Sequence, residues 1–298
     1  MELKINYTLT APLSHIGTTS SIDSLFQTVL TKEGKIPVVT ANSVRGQIRD
    51  AGAKYLLDAL KTKVDKEVFH ALFSGGNLSG TMKNDIEKAR KAREKFPLIS
   101  LLGGGLGDII LAGKMLCTFA YPICRETADI TGVYSDISWH KLIEDIEFTR
   151  TDDSKNDELT GYITDAAAET AAKASTQMRY SVQYLAAGTQ LVQKLHLLNA
   201  TDIEYGALLS AIREWWNTPT LGGMAAKGFG YFDAELSGAG LSVTDGVLKS
   251  EGDAGYFIGA YDRFLAETEI TPFFNLLKGG AKSGKKADKP AESDGETD

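Results

Sequence analysis

Apolar and polar residues alternate at the start of the chain. Leu3, Ile5, Tyr7 and Leu9 are apolar, and the residues between them are polar. A period of two is typical of a strand with one buried face. Residues 42–60 instead carry apolar positions at three- and four-residue spacing, which predicts an amphipathic helix. The chain is therefore predicted to begin with a strand, a polar loop and a helix.

The same two patterns recur further along the chain. Residues 61–96 predict two helices separated by a glycine-containing break, and residues 108–123 predict one or two strands. Residues 187–199 predict another half-buried strand, residues 201–216 an amphipathic helix, and residues 254–267 a last helix. A strand–helix–strand pattern thus stands near each end, with insertions between. This arrangement predicts an α+β chain with a ferredoxin-like sheet.

Two stretches depart from these patterns. Residues 151–175 are polar and alanine-rich and lie between two strand-like segments. Loops of that length in compact domains are usually functional or disordered. Residues 279–298 contain no large apolar residue and are predicted to be a disordered tail. We therefore interpret residues 1–278 as a single domain, with an inserted helical segment at about residues 61–107.

The charge of the chain is unevenly distributed. Its formal net charge is −7, which argues at first against a protein that binds nucleic acid through bulk positive charge. However, residues 1–125 hold 17 Lys and Arg against 11 Asp and Glu, whereas residues 126–298 hold 15 against 28. This partition predicts an oriented electrostatic surface, so the acidic total does not exclude nucleic-acid binding.

The sequence is not typical of a membrane or metal-binding protein. The longest uncharged piece of its most apolar region is residues 96–107, which is shorter than the ~20 apolar residues of a membrane helix. The first residues also lack the pattern of a signal peptide, so we expect a cytoplasmic protein. Cys117 and Cys124 lack the close spacing of zinc ligands and are predicted to be reduced core thiols. No metal and no cofactor is expected.

Two arginines near the start of the first predicted helix are candidate phosphate ligands. Arg45 and Arg49 are four residues apart and therefore share one face of the helix. They lie in its first turns, where the backbone N–H groups favour anions, and a guanidinium group can bind phosphate oxygens bidentately. The alternative is that both arginines are solvated or paired with Asp50 and Glu33.

A basic helix and a glycine-rich loop are further candidates. The helix before residue 96 carries several cations, namely Lys83, Lys88, Arg90, Lys91, Arg93 and Lys95. It either binds a polyanion or presents a solvated face neutralised by Asp85, Glu87 and Glu94. The loop LGGMAAKGFG at residues 221–230 has four glycines around Lys227, and glycine lets a backbone approach a ligand closely. Its spacing does not match a nucleotide-binding fingerprint.

Catalytic signals in the sequence are weak. It carries no nucleophile elbow, zinc-protease or kinase motif, and its four histidines stand singly. His15 lies in the polar loop after the first strand, and Asp23 lies in the same loop, where a carboxylate has the chemistry of an acid or base. We predict a binding protein rather than an enzyme.

Four segments of the chain form a set of motifs in a fixed order. They are LSHIG (13–17), IPVVTANSVRGQIRDAG (36–52), QMRYSVQYLAAGTQLV (177–192) and LGGMAAKGFGYF (221–232). Together they resemble the RAMP superfamily, and in particular the backbone subunits of CRISPR effector complexes. They span about residues 9–235. The segments LFSGG and FPLISLLGGGLGDIILAGK look most like the type IV backbone subunit.

The resemblance implies an RRM-like palm with helical insertions and a thumb hairpin at about residues 151–175. It implies that copies stack along a guide RNA and hold its backbone without reading its sequence, as suits a guide of variable sequence. Each thumb would interrupt pairing with a target. The implied partners are the guide RNA, a target nucleic acid that pairs with it, identical backbone subunits and other CRISPR effector subunits.

The resemblance also implies a set of RNA-contacting residues. They comprise the first loop and first helix (His15, Thr19, Ser20, Ser43, Arg45, Arg49), the thumb base (Met178, Arg179) and the glycine-rich loop (Gly223, Met224, Ala225, Ala226, Lys227). Related type III subunits use an aspartate of the first loop to cut target RNA, and Asp23 after Ile22 matches that position. A target-RNA endoribonuclease is therefore the main alternative, and an unrelated ferredoxin-like scaffold is a third hypothesis.

Overall fold

A computed structural model describes residues 1–20, 22–76, 86–106, 109–150 and 178–278. Within these ranges the strands are β1 (Glu2–Leu9), β2 (Ile16–Thr19), β3 (Asp23–Phe26), β4 (Thr28–Thr31), β5 (Gly34–Pro37), β6 (Gly104–Leu106), β7 (Ile109–Leu111), β8 (Met115–Cys117), β9 (Tyr121–Pro122), β10 (Ile143–Arg150), β11 (Met178–Leu185), β12 (Gln190–Leu197), β13 (Phe232–Ser237), β14 (Leu241–Thr244) and β15 (Val247–Ser250). The helices are α1 (Ala41–Ala59), α2 (Lys66–Phe73), α3 (Ile86–Lys95), α4 (Pro97–Leu102), α5 (Ala128–Thr131), α6 (Asp202–Trp216), α7 (Ala254–Ala266) and α8 (Ile270–Asn275).

A seven-stranded antiparallel sheet organises the fold. Its strand order is β15-β14-β13-β1-β12-β8, and β9 also pairs with β12. Tyr7 of β1 stands opposite Leu191 of β12 on one side and Ala234 of β13 on the other. With α1 after β1 and α6 after β12, the strands β1, β8, β12 and β13 follow the β-α-β-β-α-β order of a ferredoxin-like fold. The predicted α+β fold with a ferredoxin-like palm is confirmed.

The core lies between this sheet and the helices. The alternating apolar residues of β1 are all buried, with Leu3, Tyr7 and Leu9 only 1% exposed. Helix α6 is buried on almost every side because it packs against α1, α4 and α7. A Cβ atom at Gly206 of α6 would lie 2.0 Å from the carbonyl oxygen of Phe257 in α7, so only glycine permits this approach of the two helices.

Two of the predicted helices begin at capping residues of the usual kind. The Thr40 hydroxyl accepts a hydrogen bond from the Ser43 N–H at the start of α1, at 3.4 Å. At the start of α6, Thr201 and Glu204 form a reciprocal capping box. Such caps satisfy backbone N–H groups that have no partner within the helix, and each typically stabilises by about 1 kcal/mol. The sequence limits predicted for both helices are confirmed to within one or two residues.

A second, four-stranded sheet has the order β10-β11-β3-β2. Strands β10 and β11 form an antiparallel hairpin, and β11 pairs with β3 in parallel. The predicted thumb at residues 151–175 falls in the connection between β10 and β11 and lies outside the described residues. The predicted tail at residues 279–298 also lies outside them.

Several short strands were not expected from the sequence. The first polar loop contains β2 and β3, and residues 241–250 form the hairpin β14-β15. All four residues of β2 are exposed, so its sequence has no buried face to generate an alternating pattern. The buried helix α4 lies within the predicted helical segment at about residues 61–107, whereas strand β6 in the same segment was not expected. These elements are too short for periodicity to reveal them.

The cysteine prediction is confirmed in its main point. Both cysteines are free; Cys124 is buried and Cys117 is half-buried. Burial raises the pKa of Cys117 to about 12, against a smaller opposing effect of the Arg45 charge, so this thiol stays protonated at neutral pH. Within the described ranges, no helix has both the length and the apolar character needed to cross a membrane.

A partly buried ion pair connects Lys114, the residue before β8, to helix α6. The Lys114 ammonium lies 2.6 and 2.8 Å from the two carboxylate oxygens of Glu204. Burial alone would raise the pKa of Glu204, but hydrogen bonds from Lys114, Ser100 and the Thr201 N–H outweigh it and lower the pKa. The ion pair is therefore fully formed above pH 4.5, the ordinary pKa of a glutamate, and its contribution is lost as pH falls through the lowered value.

We predict that Lys114→Met lowers the free energy of unfolding at neutral pH by about 3 kcal/mol, because it leaves the Glu204 carboxylate buried without its cation. Urea denaturation measures this loss, which shrinks in acid as the carboxyl becomes protonated. Lys54→Met is the matched control, because Lys54 pairs with Glu214 while 64% exposed and is expected to cost about 0.5 kcal/mol or less. Equal losses in the two variants would contradict the prediction.

Candidate nucleic-acid interface

The first loop lies between the glycine-rich loop and strand β11. The Gly223 N–H donates a hydrogen bond to the Ser14 carbonyl at 2.9 Å. Leu13 and Leu185 exchange backbone hydrogen bonds of 2.9 and 2.8 Å. Residues more than 170 positions apart in the sequence are therefore held together by main-chain bonds, whose geometry does not depend on flexible side chains.

His15 ties the first loop to the start of helix α1. Its Nε2 accepts a hydrogen bond from the Thr40 N–H at 3.2 Å and lies 3.2 Å from the Thr40 hydroxyl. Burial lowers the pKa of His15, which favours the neutral ring that can accept at Nε2. His15 is therefore placed as a structural link to the helix start, next to the cap that binds the Ser43 N–H.

The glycine-rich loop needs glycine where it contacts the first loop. Gly222 has φ +67°, and a Cβ atom there would lie 2.2 Å from the Ser14 carbonyl oxygen. Met224 also has a positive φ of 62°, in the left-handed region that is uncommon for residues other than glycine. It is followed by a short 3₁₀ turn at Ala225–Lys227. Gly223, Ala226 and Lys227 are exposed on this loop.

Lys227 lies on aromatic rings of the β10–β11 hairpin. Its ammonium donates a hydrogen bond to the Tyr180 hydroxyl at 2.7 Å and lies 5.0 and 5.4 Å from the ring centroids of Tyr180 and Phe148. Phe229, which is buried, packs against Phe148 and Tyr184. The glycine-rich loop is thus attached both to the first loop and to the hairpin that leads into the predicted thumb.

These contacts bring four segments of the chain together on one surface. We call this surface the candidate interface, and it consists of Leu13–His15, Thr40–Arg45, Tyr180 and Gly222–Lys227. Its exposed groups include main-chain atoms of small residues and the Lys227 ammonium. Such a surface suits a ligand whose backbone is recognised rather than its side groups.

Arg45 and Arg49 share one helix face, as predicted, and their side chains donate to backbone carbonyls instead of to Asp50 or Glu33. Each donates to the Leu102 carbonyl at the end of α4, at 2.6 and 3.2 Å, and Arg49 also donates to the Gly103 carbonyl at 3.0 Å. The pKa of Arg49 is lowered by burial and by the neighbouring Arg45 charge. The arginines therefore complete the carbonyl end of a buried helix instead of pairing with Asp50.

Donor capacity remains on both arginines. Arg45 Nε and Arg49 Nη1 are buried and have no hydrogen-bond partner within the described part of the chain. Two like charges beside each other and unsatisfied donors are costly in a buried position. The predicted role of this pair in RNA binding stays a prediction.

Other predicted residues lie further from the candidate interface. Thr19 ends strand β2, which is separated from β11 by β3, and Ser20 is hydrogen-bonded to Asp23. Arg179 forms an exposed ion pair with Glu147 across the β10–β11 hairpin. Met178 is the first residue of β11, and its side chain lies outside what the structure describes.

The basic helix is confirmed as α3. Its exposed face includes an i,i+4 ion pair between Lys91 and Glu87 at 2.7 Å, as the solvated-face alternative predicted. Lys83 and Asp85 lie outside the described residues.

Asp23 is exposed at the start of β3 and stands beside Ser181 of β11 in the parallel register. Its carboxylate accepts a hydrogen bond from the Ser20 hydroxyl at 3.5 Å. Among the described residues, no group of three or more His, Cys, Asp or Glu side chains is placed to hold a metal ion.

The aromatic support of the glycine-rich loop was not predicted from the sequence. Lys227 of this loop lies on Phe148 and Tyr180 of the β10–β11 hairpin, and its Phe229 packs against Phe148 and Tyr184 beneath the binding surface. A signal for it was present, because Tyr180 and Tyr184 are four residues apart and therefore share one face of a strand. Thr40 was missed as well, although a threonine before a helical pattern is a usual capping signal.

We predict that Gly222→Ala lowers the free energy of unfolding by about 2 kcal/mol or more. The left-handed backbone is strained for alanine, and its Cβ atom would displace the Ser14 carbonyl. Gly223→Ala is the matched control, because no atom lies within 4 Å of its Cβ position, and its effect is expected to stay within about 0.5 kcal/mol. Urea denaturation measures both. A stable Gly222→Ala protein would show that the two loops are not tightly docked.

Comparison with known proteins agrees with this geometry. A search of curated protein sequences finds no match. A solved chain titled "Type IV-B CRISPR Complex" has the same fold: it is 17% identical, with a TM-score of 0.60, and the match covers 82% of this chain and 93% of that chain. The family description that matches is "RAMP superfamily", over residues 6–233. Because that match covers most of the chain, including every segment of the candidate interface, this protein belongs to the RAMP superfamily.

Proposed function

We propose that this chain is the backbone subunit of a type IV CRISPR ribonucleoprotein. In this role it binds the phosphate backbone of a guide RNA independently of sequence, oligomerises along it and presents it for pairing with a target nucleic acid. The family membership and the likeness to a chain from a type IV-B CRISPR complex support this proposal. A cytoplasmic location and contacts with other CRISPR effector subunits belong to the same proposal.

The observation that carries the proposal is the meeting of the first loop, the start of α1 and the glycine-rich loop. The Ser14–Gly223 and His15–Thr40 hydrogen bonds join three segments. The sequence motif of each segment resembles the family independently of the other two. Three segments that meet only in the folded chain, and that each resemble RNA-contacting motifs, form one surface.

The chemistry of the candidate interface favours contact with an RNA backbone over reading of bases. Gly223, Ala225 and Ala226 have little or no side chain, so a phosphate or ribose can approach their main-chain atoms closely. Lys227 offers positive charge without a fixed hydrogen-bond pattern. Contacts of this kind position a nucleic acid but carry no sequence information, as a variable guide requires.

A target-RNA endoribonuclease is a second candidate function, and one observation favours it. Asp23 is exposed and lies on β3 beside Ser181, near the middle of the β10–β11 hairpin that leads to the predicted thumb. A carboxylate in this position is accessible to an RNA held on the same side of the molecule. The experiment below therefore includes a cleavage assay.

We predict that the purified chain retains cellular RNA and sediments as assemblies larger than a monomer. The ratio of nucleic-acid to protein absorbance and the mass from light scattering, before and after nuclease treatment, measure both properties. Nuclease is expected to lower the absorbance ratio and reduce the assembly size, because the RNA joins the copies. An RNA-free monomer at moderate salt would contradict the proposal.

The same preparation distinguishes the second candidate. Guide-bound protein is mixed with complementary RNA and Mg²⁺, alongside an Asp23→Ala variant. The backbone-subunit proposal expects intact target RNA with both proteins. Cleavage at regular intervals that disappears in Asp23→Ala would establish the endoribonuclease instead.

We also predict that Arg45→Ala combined with Arg49→Ala weakens RNA binding equally for unrelated sequences. Each arginine that contacts a phosphate is expected to reduce the slope of log affinity against log salt by about one. Fluorescence anisotropy over a salt series measures the slope, and thermal unfolding measures the loss of the α4 carbonyl contacts. A lower melting temperature with unchanged affinity and slope would show that the two arginines serve the helix end only.

A further inference from the structure

The Tyr180 hydroxyl can donate a hydrogen bond for which the described residues provide no acceptor. Its oxygen accepts the hydrogen bond from the Lys227 ammonium at 2.7 Å, so its own O–H must point to a different acceptor. Within the described part of the chain, this hydroxyl has no hydrogen-bond partner other than Lys227. The Lys227 ammonium likewise has N–H groups beyond the one donated to Tyr180. Two donors, one of them charged, therefore stand side by side on the candidate interface.

We propose that Tyr180 and Lys227 together bind a single phosphate group of the guide RNA, with the hydroxyl and the ammonium each donating to a phosphate oxygen. This subsite rests on the proposed function, since it names where one phosphate of the RNA is held. It adds Tyr180 to the binding residues and gives it a role that differs from that of the neighbouring Arg179. Both donors are accessible, because Lys227 is exposed and Tyr180 is only half-buried.

The aromatic rings fix the position of the charged donor. The Lys227 ammonium lies 5.0 and 5.4 Å from the ring centroids of Tyr180 and Phe148, which are stacked on each other at 5.3 Å. A cation over aromatic faces is attracted to them and loses side-chain freedom before a ligand arrives. Binding then costs less conformational entropy than it would for a freely moving lysine.

The surroundings favour an anion over other ligands. The nearby ion pair of Arg179 and Glu147 lies on the opposite face of the hairpin from Tyr180, because adjacent strand residues point to opposite faces. No carboxylate partner of Lys227 occurs within the described ranges. Its charge is therefore available, and a donor pair of this spacing matches two oxygens of one phosphate.

The experiment measures the binding of a fluorescein-labelled single-stranded RNA of mixed sequence to the full chain freed of cellular RNA. Lys227→Ala is expected to weaken binding about tenfold and to reduce the salt slope by about one. Tyr180→Phe is expected to weaken binding about three- to tenfold with the slope unchanged, because a hydrogen bond is lost but no charge. The affinity of the double variant is expected to lie within about twofold of that of Lys227→Ala, because both groups bind one phosphate.

Tyr184→Phe is the matched control. It makes the same chemical change on the same face of β11, where the Tyr184 ring packs against Phe229 instead of Lys227. We expect its affinity to equal that of the unchanged chain, and thermal unfolding to show that all variants remain folded at the temperature of the binding assay. An equal loss in Tyr184→Phe, wild-type binding in Tyr180→Phe, or losses that multiply in the double variant would each overturn the subsite.

The failure of the subsite and the failure of the proposed function are distinguishable. If the unchanged chain binds the RNA probe but the variants give one of the overturning results, the subsite is wrong and the proposed function stands. If the unchanged chain does not bind the probe at moderate salt, both are wrong.

Discussion

The antiparallel pairing of β1 with β13 determines where the candidate interface forms. These strands lie side by side at the centre of the sheet, and their hydrogen bonding does not stop at the strand ends. The Gly230 N–H donates to the Pro12 carbonyl at 2.7 Å, and the Gly223 N–H donates to Ser14 at 2.9 Å. The two loops that follow β1 and precede β13 are therefore aligned by the sheet itself. Strand β1 is held in register between β12 and β13, with Tyr7 opposite Leu191 and Ala234. Burial of the β1 side chains keeps the strand in this register. The loops at its end therefore depend on that burial for their position.

The parts of the fold that the sequence predicts are those with a sustained pattern. The alternation of Leu3 to Leu9 and the helical spacing of α1 and α6 arise because one face of each element is buried over several turns or residues. The glycine-rich loop was also predictable, since positive φ angles and close backbone contacts at Gly222 require glycine. In each case, one local physical constraint determines which residue types occur at neighbouring positions.

The rest depends on partners that are distant in the sequence. Arg45 and Arg49 resemble phosphate ligands by spacing, yet their donors reach the Leu102 carbonyl, more than 50 positions away. Lys227 meets Tyr180 only because β11 lies beside the loop in the folded chain. Spacing indicates which face a side chain occupies, whereas the identity of the group opposite follows from tertiary packing. The sequence therefore indicates which residues share a face, but not which groups their side chains contact.

The central position of β1 also affects how the chain can fold during synthesis. Both neighbours of β1 come from the second half of the sequence, as Tyr7 pairs with Leu191 and Ala234. A ribosome emits residues from the N-terminus onward, so the apolar face of β1 is made long before any strand that covers it. Contacts of such high sequence separation slow folding and leave an apolar strand exposed in the nascent chain. The palm therefore closes only after β13 has left the ribosome, and until then the first strand requires protection from aggregation.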